Sequence, residues 1–223
     1  MISVIVPTFN EERNIRRILE LFSQKSEIEL IIVDGESQDQ TSQIVADYPC
    51  LLIKTQKKRA YQLNKGAQRA KGDILIFLHA DCLIDDYGLA AIKAAIDQGC
   101  IGGALSQKIE ATSFIYRYIE FSGNLRAKLT KIFYGDQAIF VRKDIFNQIG
   151  GFEDVDLFDD VLFSKKLKKT GRTCLLNNKV YTLPRRWQKQ GIIKTTIINW
   201  LISFGFIFKI PIDKLKNFYD DLR

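Results

Sequence analysis

The chain has 223 residues, of which 46% are hydrophobic and 26% are charged, and this balance excludes a disordered, collagenous or disulfide-scaffold protein. The length fits one large domain, or one domain with a short appendage. Four cysteines are present without a Cys-x-x-Cys pair, so we expect buried free thiols and neither a zinc site nor a disulfide. The N-terminus does not resemble a signal peptide, and a cytoplasmic location is therefore expected.

The net charge of +7 is unevenly distributed along the chain. Residues 1–160 carry 19 basic and 23 acidic side chains, whereas residues 161–223 carry 14 basic and 3 acidic ones. The C-terminal part, at +11 (14 − 3), is therefore expected to meet something anionic, such as phosphate, nucleic acid or a lipid headgroup surface. Composition alone does not choose among these partners.

Short apolar runs rich in β-branched residues have the pattern of strands buried on both faces, and they lie at residues 2–6, 30–33 and 74–78. Helices are expected between them: over 11–22 with Asn10 as N-cap, from a capping box at 37–40 to about 47, and over 60–71 with Gly72 as C-cap. The resulting order, β-α-β-α-β-α-β, predicts an α/β fold with an open, twisted, mostly parallel, Rossmann-like sheet flanked by helices. In such sheets ligands bind beyond the carboxyl ends of the strands.

The second half alternates less strictly. We expect strands at 101–109, 138–141, 173–176 and 180–183, helices at 114–129 and 161–169, and a turn at Gly150-Gly151. A single domain over 1–223 is predicted, with a nucleotide-binding half (1–100), an acceptor half (101–187) and a helical tail (188–223).

The tail contains the longest uncharged stretch, the 14 residues 195–208. A bilayer-spanning helix needs roughly 18 or more residues, so this stretch predicts a buried or interfacial helix. Aromatic residues beside lysines would suit a peripheral contact with the inner face of a membrane. Core packing and packing in a homodimer remain equally open.

Polar and acidic side chains follow each of the first three predicted strands, in the segments 7–11, 34–37 and 79–81. No Gly-rich phosphate loop occurs there, which excludes a Walker site and a dinucleotide fingerprint. Carboxylates beside a phosphate need a cation between them, and this favours a nucleotide bound through Mg²⁺ or Mn²⁺. Any one of these aspartates alone is more typical of a helix N-cap, but their recurrence at successive strand ends favours a site.

With these motifs the sequence resembles the family 2 glycosyltransferases of the GT-A fold, and within them the small stand-alone bacterial enzymes. The resemblance extends over nearly the whole chain. The matching segments are 4–12, 33–41, His79-Ala80-Asp81, Gly135-Asp136-Gln137-Ala138, Gly150-Gly151-Phe152, Asp159-Asp160 and Arg185-Arg186-Trp187.

The resemblance implies a nucleotide sugar as donor, of the UDP or GDP type. The residues that it assigns to the nucleotide and donor are Pro7, Thr8, Asn10, Glu11, Asp34, Lys58, Arg59, Asn64, Ala80, Asp81, Arg185 and Arg186. Asp81 matches the last carboxylate of the family's D-x-D element, which coordinates the metal. The first aspartate is replaced by His79, which is either a metal ligand or a structural group; Mg²⁺ can be held by one or two protein carboxylates.

The acidic pair Asp159-Asp160 matches the family's pair whose second member is the base. Asp160 is therefore assigned to take the proton of the attacking hydroxyl, and Asp159 a supporting or acceptor-binding role. The alternative is that both acids only complement a helix dipole. Arg185 and Arg186 would stabilise the leaving diphosphate, or form a solvated basic turn.

Asp136, Gln137 and Trp187 are assigned by the same resemblance to the acceptor side. The position where processive synthases carry Gln is Leu183, which favours one transfer per acceptor. We therefore predict an inverting, metal-dependent transfer of a sugar to a hydroxyl acceptor, with a weak preference for a lipid-linked one.

Two alternatives remain open. A sugar nucleotidyltransferase would need a Gly-rich basic loop where Pro7 to Glu11 stands. A polyanion-binding or membrane-surface protein without enzymatic activity would rely on the basic C-terminal part. Nucleic acid is not expected as a partner, because no stacking platform of interleaved aromatic and basic residues is evident.

Overall fold

The computed structural model describes residues 1–85, 87–207, 210 and 215. Its centre is one eight-stranded sheet. The strands are β1 (Ile2–Thr8), β2 (Ile28–Asp34), β3 (Leu51–Lys54), β4 (Ile74–Phe77), β5 (Cys82–Ile84), β6 (Gly102–Ile109), β7 (Ile139–Arg142) and β8 (Thr173–Thr182).

Helices flank this sheet and lead into the C-terminal segment. They are α1 (Ile15–Phe22), α2 (Thr41–Ala46), α3 (Arg59–Arg69), α4 (Gly88–Asp97), α5 (Phe114–Thr130), α6 (Lys143–Gln148), α7 (Asp159–Thr170), α8 (Arg185–Gln190) and α9 (Ile192–Ile207). A single 3-10 turn at Gly135–Gln137 precedes β7.

The strand order is β3-β2-β1-β4-β7-β6-β8-β5. The first four strands run parallel, so the carboxyl ends of β2, β1 and β4 meet at one edge. Strand β7 is antiparallel to β4 and β6, and β5 is antiparallel to β8, while β6 and β8 run parallel. The expected α/β fold with a mostly parallel sheet is confirmed, and the sheet joins strands from both sides of residue 100.

Successive residues of β1 point to opposite faces of the sheet, and each face is covered by a hydrophobic core. Val4 and Val6 pack in one core with Ile15 and Leu19 of α1. Ile5 packs in the other core, which includes Leu63 of α3. This double burial explains why the central strands read as unbroken apolar runs in the sequence.

The predicted starts of α1 and α2 are wrong, because the side chain expected to cap each helix bonds to a different partner. Asn10 does not cap α1, which begins at Ile15. Asn10 has a left-handed backbone (φ +54°), and its side-chain oxygen accepts the N–H of Gln38 at 2.8 Å. Likewise, Ser37 bonds to Asp34 instead of capping α2, which begins at Thr41.

Gly72 is not the C-cap of α3, which ends at Arg69. Its N–H donates to Ser3 Oγ at 2.8 Å, and a Cβ there would lie 2.7 Å from the backbone nitrogen of Ser3. A glycine is therefore required by the close approach of two chain segments.

Some elements were missed, and one strand was divided. Strand β5 and helices α4 and α6 were not expected, while the predicted pair 173–176 and 180–183 is one ten-residue strand. The pairing of β6 with β8 shifts register between Leu105 and Ser106 of β6, and this irregularity accounts for the break in the sequence pattern of β8. The turn at Gly150-Gly151 is confirmed, with φ of +76° and +67°.

The C-terminal helices pack on the protein through one face only. Thr195, Ile198 and Ile202 of α9 are buried, whereas Ile197 and Trp200 are about half exposed. No helix within the described ranges combines the length and the apolar character that a membrane crossing needs. The parts of the predicted tail at 208–209, 211–214 and 216–223 lie outside the described residues.

The close packing of α3 on the sheet provides a stability test. A Cβ on Gly66 would overlap Ile5 and lie 3.0 Å from Val33 Cγ2. We expect Gly66→Ala to lower the free energy of unfolding by about 1–3 kcal/mol, because the added methyl overpacks the core. Urea denaturation measures this change.

The matched control is Gly123→Ala, which is also in a helix interior but has open space around its Cβ position. We expect it to raise the free energy of unfolding by about 0.5–1 kcal/mol, because alanine is the better helix former. Equal effects of the two substitutions would contradict the packing account.

Candidate functional site

Two loops that follow β1 and β2 are bonded into one platform. The Asn10 N–H donates to Ser37 Oγ at 2.9 Å, and the Glu11 N–H donates to Thr41 Oγ1 at 2.8 Å. The left-handed backbones of Asn10 and Glu36 (φ +62°) turn the loops towards each other. The carboxyl ends of the two strands thereby carry a fixed polar surface.

The buried carboxylate of Asp34 holds this platform together. It is 1% exposed, and its carboxylate accepts hydrogen bonds from Thr8 Oγ1 (3.2 Å), the Ser37 N–H (3.1 Å), the Ser37 hydroxyl and Ser42 Oγ (3.0 Å). Four donors match the four acceptor positions of a carboxylate. The structure thus uses Asp34 and Thr8 to shape the loop, and their direct contact with a nucleoside stays a prediction.

The sequence reasoning missed Asp39 as a second anchor. Its carboxylate accepts the backbone N–H groups of Glu12 (3.1 Å) and Thr41 (2.9 Å). An aspartate that accepts the N–H of the residue two positions later forms an Asx turn, and this part of the pattern can be expected from sequence. Its reach to Glu12 depends on the pairing of β1 with β2, which only the folded chain provides.

Arg185 joins the ends of β1 and β4 to the start of α8. Its guanidinium donates to both carboxylate oxygens of Glu11, at 2.9 and 3.0 Å, and to Asp81 Oδ2, at 2.7 and 3.2 Å. Bidentate pairs of this kind are strong and fixed in direction. Glu11, Asp81 and Arg185 are therefore brought together, and their contact with a donor stays a prediction.

His79, Asp81 and Cys82 offer ligand atoms that lie within 4.8 Å of one another. Burial, with the charge of Arg59 next in importance, lowers the pKa of His79 to about 4, so its imidazole is neutral at pH 7 and can bind a metal. Burial raises the pKa of the Cys82 thiol well above its usual value, which makes it a poor ligand. The remaining donors, one imidazole nitrogen and one carboxylate, fit Mn²⁺ with its other positions left to phosphate oxygens or water.

The acidic pair divides into two different environments. Asp159 is buried and forms a bidentate ion pair with Arg59, whose Nε donates to Oδ2 at 3.0 Å. Asp160 is 13% exposed, and its two oxygens accept the N–H groups of Gly135 and Val161, each at 2.7 Å. Asp159 is therefore a fixed positioning group, whereas Asp160 faces the loop at 135.

Gly135 lies between His79 and Asp160. A Cβ at this position would lie 2.6 Å from His79 Nε2 and 3.4 Å from Asp160 Oδ2. Any larger residue would separate the loop from the imidazole or from the carboxylate. The turn thus connects the end of β4 with the start of α7 through a single backbone position.

Asp136 lies in the same cluster. Burial, and after it the negative charge of Asp160, raises the pKa of Asp136 to about 6, so a fraction of this group is protonated near neutral pH. Gln107 donates to Asp136 Oδ2 at 2.6 Å, and Asn124 of α5 exchanges hydrogen bonds of 2.8 and 2.9 Å with the backbone of Gln107. Neither Gln107 nor Asn124 was expected to belong to the site, since no sequence signal marks them.

The remaining predicted acceptor residues are less open. Gln137 is buried; it accepts the Tyr134 N–H at 3.1 Å and donates to Asn124 at 3.4 Å. Trp187 lies edge to face with Tyr116 of α5, with ring centroids 6.0 Å apart. Acceptor binding by these two side chains stays a prediction.

Two predicted donor residues bind a neighbouring loop instead. Asn64 accepts the Phe152 N–H at 3.0 Å and donates to the Phe152 carbonyl at 2.9 Å, so it docks the Gly150-Gly151-Phe152 motif on α3. Lys58 pairs with Asp154 at 2.8 Å. Nucleoside contact by Asn64 and Lys58 stays a prediction.

Other predicted donor residues occupy the edge of the sheet. Pro7 is in β1, and Ala80 follows β4 between His79 and Asp81. Arg186 lies one position beyond Arg185, and its Nε donates to Gln190 at 3.4 Å.

Comparisons with known proteins assign this arrangement to a family. The family model described as glycosyl transferase family 2 matches residues 3–152. An uncharacterized glycosyltransferase of Haemophilus influenzae is 35% identical over 240 residues, which cover 98% of this chain and 80% of that protein. The dolichyl N-acetyl-alpha-D-glucosaminyl phosphate 3-beta-D-2,3-diacetamido-2,3-dideoxy-beta-D-glucuronosyltransferase of Methanococcus voltae is 28% identical, covering 94% of this chain and 79% of that one.

Solved structures share the fold. The Staphylococcus aureus TarS fragment 1–349 superposes with a TM-score of 0.65 at 23% identity, over 89% of this chain and 65% of that one. The mannosyltransferase PcManGT of Pyrobaculum calidifontis, in complex with GDP-Man and Mn²⁺, gives 0.64 at 22% identity, over 81% and 56%. The chain thus spans about two thirds or less of these two proteins, and 30% of the matched glycosyltransferase AglE of Haloferax volcanii.

The ion pair of Asp159 provides a test of the site's construction. We expect Asp159→Asn to lower the free energy of unfolding by about 2–4 kcal/mol, because it removes the partner of Arg59 and disturbs a buried polar network. The expected loss lies towards the lower end, since the Arg59 side chain is 38% exposed and solvent screens part of the attraction. Chemical denaturation measures the effect.

Asp154→Asn is the matched control, because Asp154 also pairs with a basic residue of the same region but is 60% exposed. Its expected effect is within about 0.5 kcal/mol. A loss of similar size in both variants would show that Asp159 is no more important to the fold than a surface acid.

Proposed function

The chain belongs to glycosyl transferase family 2 and is a glycosyltransferase; we propose that it transfers a sugar, with inversion, from a nucleoside diphosphate sugar to a hydroxyl acceptor. One observation carries the proposal: Gly135 links His79, beside the carboxylate of Asp81, to Asp160. A group that can hold a diphosphate and a group that can take a proton therefore lie on either side of one backbone turn.

The platform at the ends of β1 and β2 is the proposed nucleoside site. Its fixed backbone and the polar edge at Glu11 suit a base and ribose. Solved structures of the same fold were determined with UDP, with UDP-GlcNAc and with GDP-Man. We therefore propose a UDP- or GDP-sugar as the donor.

His79 and Asp81 are the residues that would hold a divalent ion. Asp81 Oδ2 accepts two hydrogen bonds from Arg185, whereas Oδ1 accepts the weak donor of the Cys82 thiol at 3.6 Å, so Oδ1 is the more available oxygen for the ion. A bound Mn²⁺ or Mg²⁺ would neutralise charge on the diphosphate as the glycosidic bond breaks. Arg185 is already directed at this place, and together with Arg186 it would supply further positive charge to the leaving group.

Asp160 is the proposed general base. Of the two adjacent acids it is the more exposed one, at 13% against 2%, because Arg59 forms a bidentate pair with Asp159 and a longer contact of 3.6 Å with Asp160. The N–H groups of Gly135 and Val161 orient its carboxylate. One base that deprotonates the attacking hydroxyl group gives a single displacement, and a single displacement inverts the anomeric centre.

The acceptor side is formed by the turn at 135–137 and by α8. We propose one transfer per acceptor, because Leu183 stands where processive synthases carry Gln. The name of the Methanococcus voltae relative specifies a dolichyl phosphate-linked acceptor, which supports a lipid-linked acceptor here. The expected cytoplasmic location and the single-domain organisation stay predictions.

Nucleotide binding can be tested by thermal unfolding with UDP, GDP, CDP or ADP, with and without Mn²⁺. A ligand that binds only the folded state at a hundred times its dissociation constant adds about 2.7 kcal/mol of stability. We expect UDP or GDP with Mn²⁺ to give the largest rise in melting temperature. His79→Ala should abolish most of the part that depends on Mn²⁺, and a rise that is identical with CDP and ADP would contradict the proposal.

The base is tested by Asp160→Asn. We expect kcat for sugar transfer to fall by about 10²–10⁴, because the amide cannot accept the proton. The nucleotide-induced stabilisation should remain close to that of the unmodified protein. Asp154→Asn serves as the control and should keep its activity, whereas near-normal turnover of Asp160→Asn would assign the base elsewhere.

A further inference from the structure

Helix α5 presents a continuous row of large apolar side chains to solvent. Its members follow one another at intervals of four, three, four and four residues, so they lie on one helix face. Their exposed fractions are between 42% and 84%. We call this set the α5 stripe: Phe114, Tyr118, Phe121, Leu125 and Leu129.

The opposite face attaches α5 to the protein. Tyr116 and Ala127 are buried, and Asn124 exchanges two hydrogen bonds with the backbone of Gln107. The α5 stripe therefore contributes little to the core. Folded monomeric proteins rarely expose contiguous apolar patches of this kind unless the patch binds something.

A second apolar face lies on α9. Ile193, Ile197, Trp200 and Leu201 are each at least half exposed. The two helices are connected through α8, whose Trp187 contacts Tyr116 of α5. Exposed apolar side chains thus extend from α5 to the C-terminal part of the described chain.

The exposed charged residues on α5, α8 and α9 are basic. Lys128 is exposed on α5, as are Lys189 and Lys194 near the start of α9. The single acid of α5, Glu120, is turned inwards and bonds to the Ile109 N–H and to Arg117. A basic rim around an apolar helix face is the composition that binds the surface of an anionic membrane.

We propose that the α5 stripe docks on an anionic lipid surface, with the exposed face of α9 as a second contact. A second copy of the chain fits less well, since pairing two such faces would bring basic rims together, and like charges oppose association. The interaction requires no catalysis and stands whether or not the proposed sugar transfer is correct.

Docking through α5 would have a direct consequence for the site. The inner side of the helix positions Gln107 through Asn124, and Gln107 holds Asp136 at the acceptor side. The turn at 135–137 would then lie one helix away from the lipid headgroups. A hydroxyl acceptor anchored in the same membrane could reach it by lateral diffusion.

Co-sedimentation of the full chain with lipid vesicles tests the proposal. We expect binding to vesicles of phosphatidylcholine with phosphatidylglycerol, much weaker binding to phosphatidylcholine alone, and loss of binding as salt increases. The double variant Phe121→Ser/Leu125→Ser should weaken the partition coefficient at least about tenfold, because it removes two inserting side chains. Tyr87→Ser, which alters an exposed aromatic residue outside both faces, should bind like the unmodified chain.

A charge variant keeps the test independent of the apolar substitutions. Lys128→Glu should weaken binding to anionic vesicles several-fold, whereas Lys93→Glu on the exposed side of α4 should have little effect. Unchanged binding of the stripe variant, or equal binding to both vesicle types, overturns the proposal. A dimer in analytical ultracentrifugation that the stripe variant abolishes would assign the stripe to a second copy and also overturn it.

Discussion

Two arginines make it possible for the acidic edge of this sheet to exist. Carboxylates from separate segments meet there, and without positive charge between them they would repel one another and resist ionisation. Arg185 joins Glu11 to Asp81 across the ends of β1 and β4, and Arg59 holds Asp159 at the start of α7. Arg59 also lies 3.6 Å from Asp160, whose carboxylate is 13% exposed and accepts the N–H of Gly135 in the turn before β7.

Hydrogen bonds between loops preorganise the backbone of the proposed site. The side chains of Asp34, Asp39 and Asn64 form hydrogen bonds with the backbone of neighbouring loops. The backbone around the proposed nucleotide site is therefore fixed before any ligand binds. Preorganised groups need no rearrangement when charge develops, and this is the main source of electrostatic catalysis. Glu11, Asp81 and Asp160 are partly exposed, and together with Arg185 they are the residues that we propose contact a ligand.

The agreement between sequence and structure varies with the physical origin of each signal. Strands β1, β2 and β4 were predicted because burial on both faces leaves an apolar run that nothing else explains. Strand β5 was missed because it has only three residues, too few for a periodic pattern. The start of α1 was misplaced since Asn10, a good capping residue in isolation, bonds to Gln38 across the platform.

By itself, the sequence determined the class of sheet, the edge where polar groups gather, and the family to which its motifs belong, because these depend on local pattern and on residue type. The tertiary structure alone decided which acids are buried, which are partly exposed and which arginine each one contacts, since that depends on partners up to 174 positions away, as for Arg185 and Glu11. It also decided that the apolar residues of α5 face outwards. A helical pattern shows that one face is apolar, but only the packing of its neighbours shows whether that face is covered.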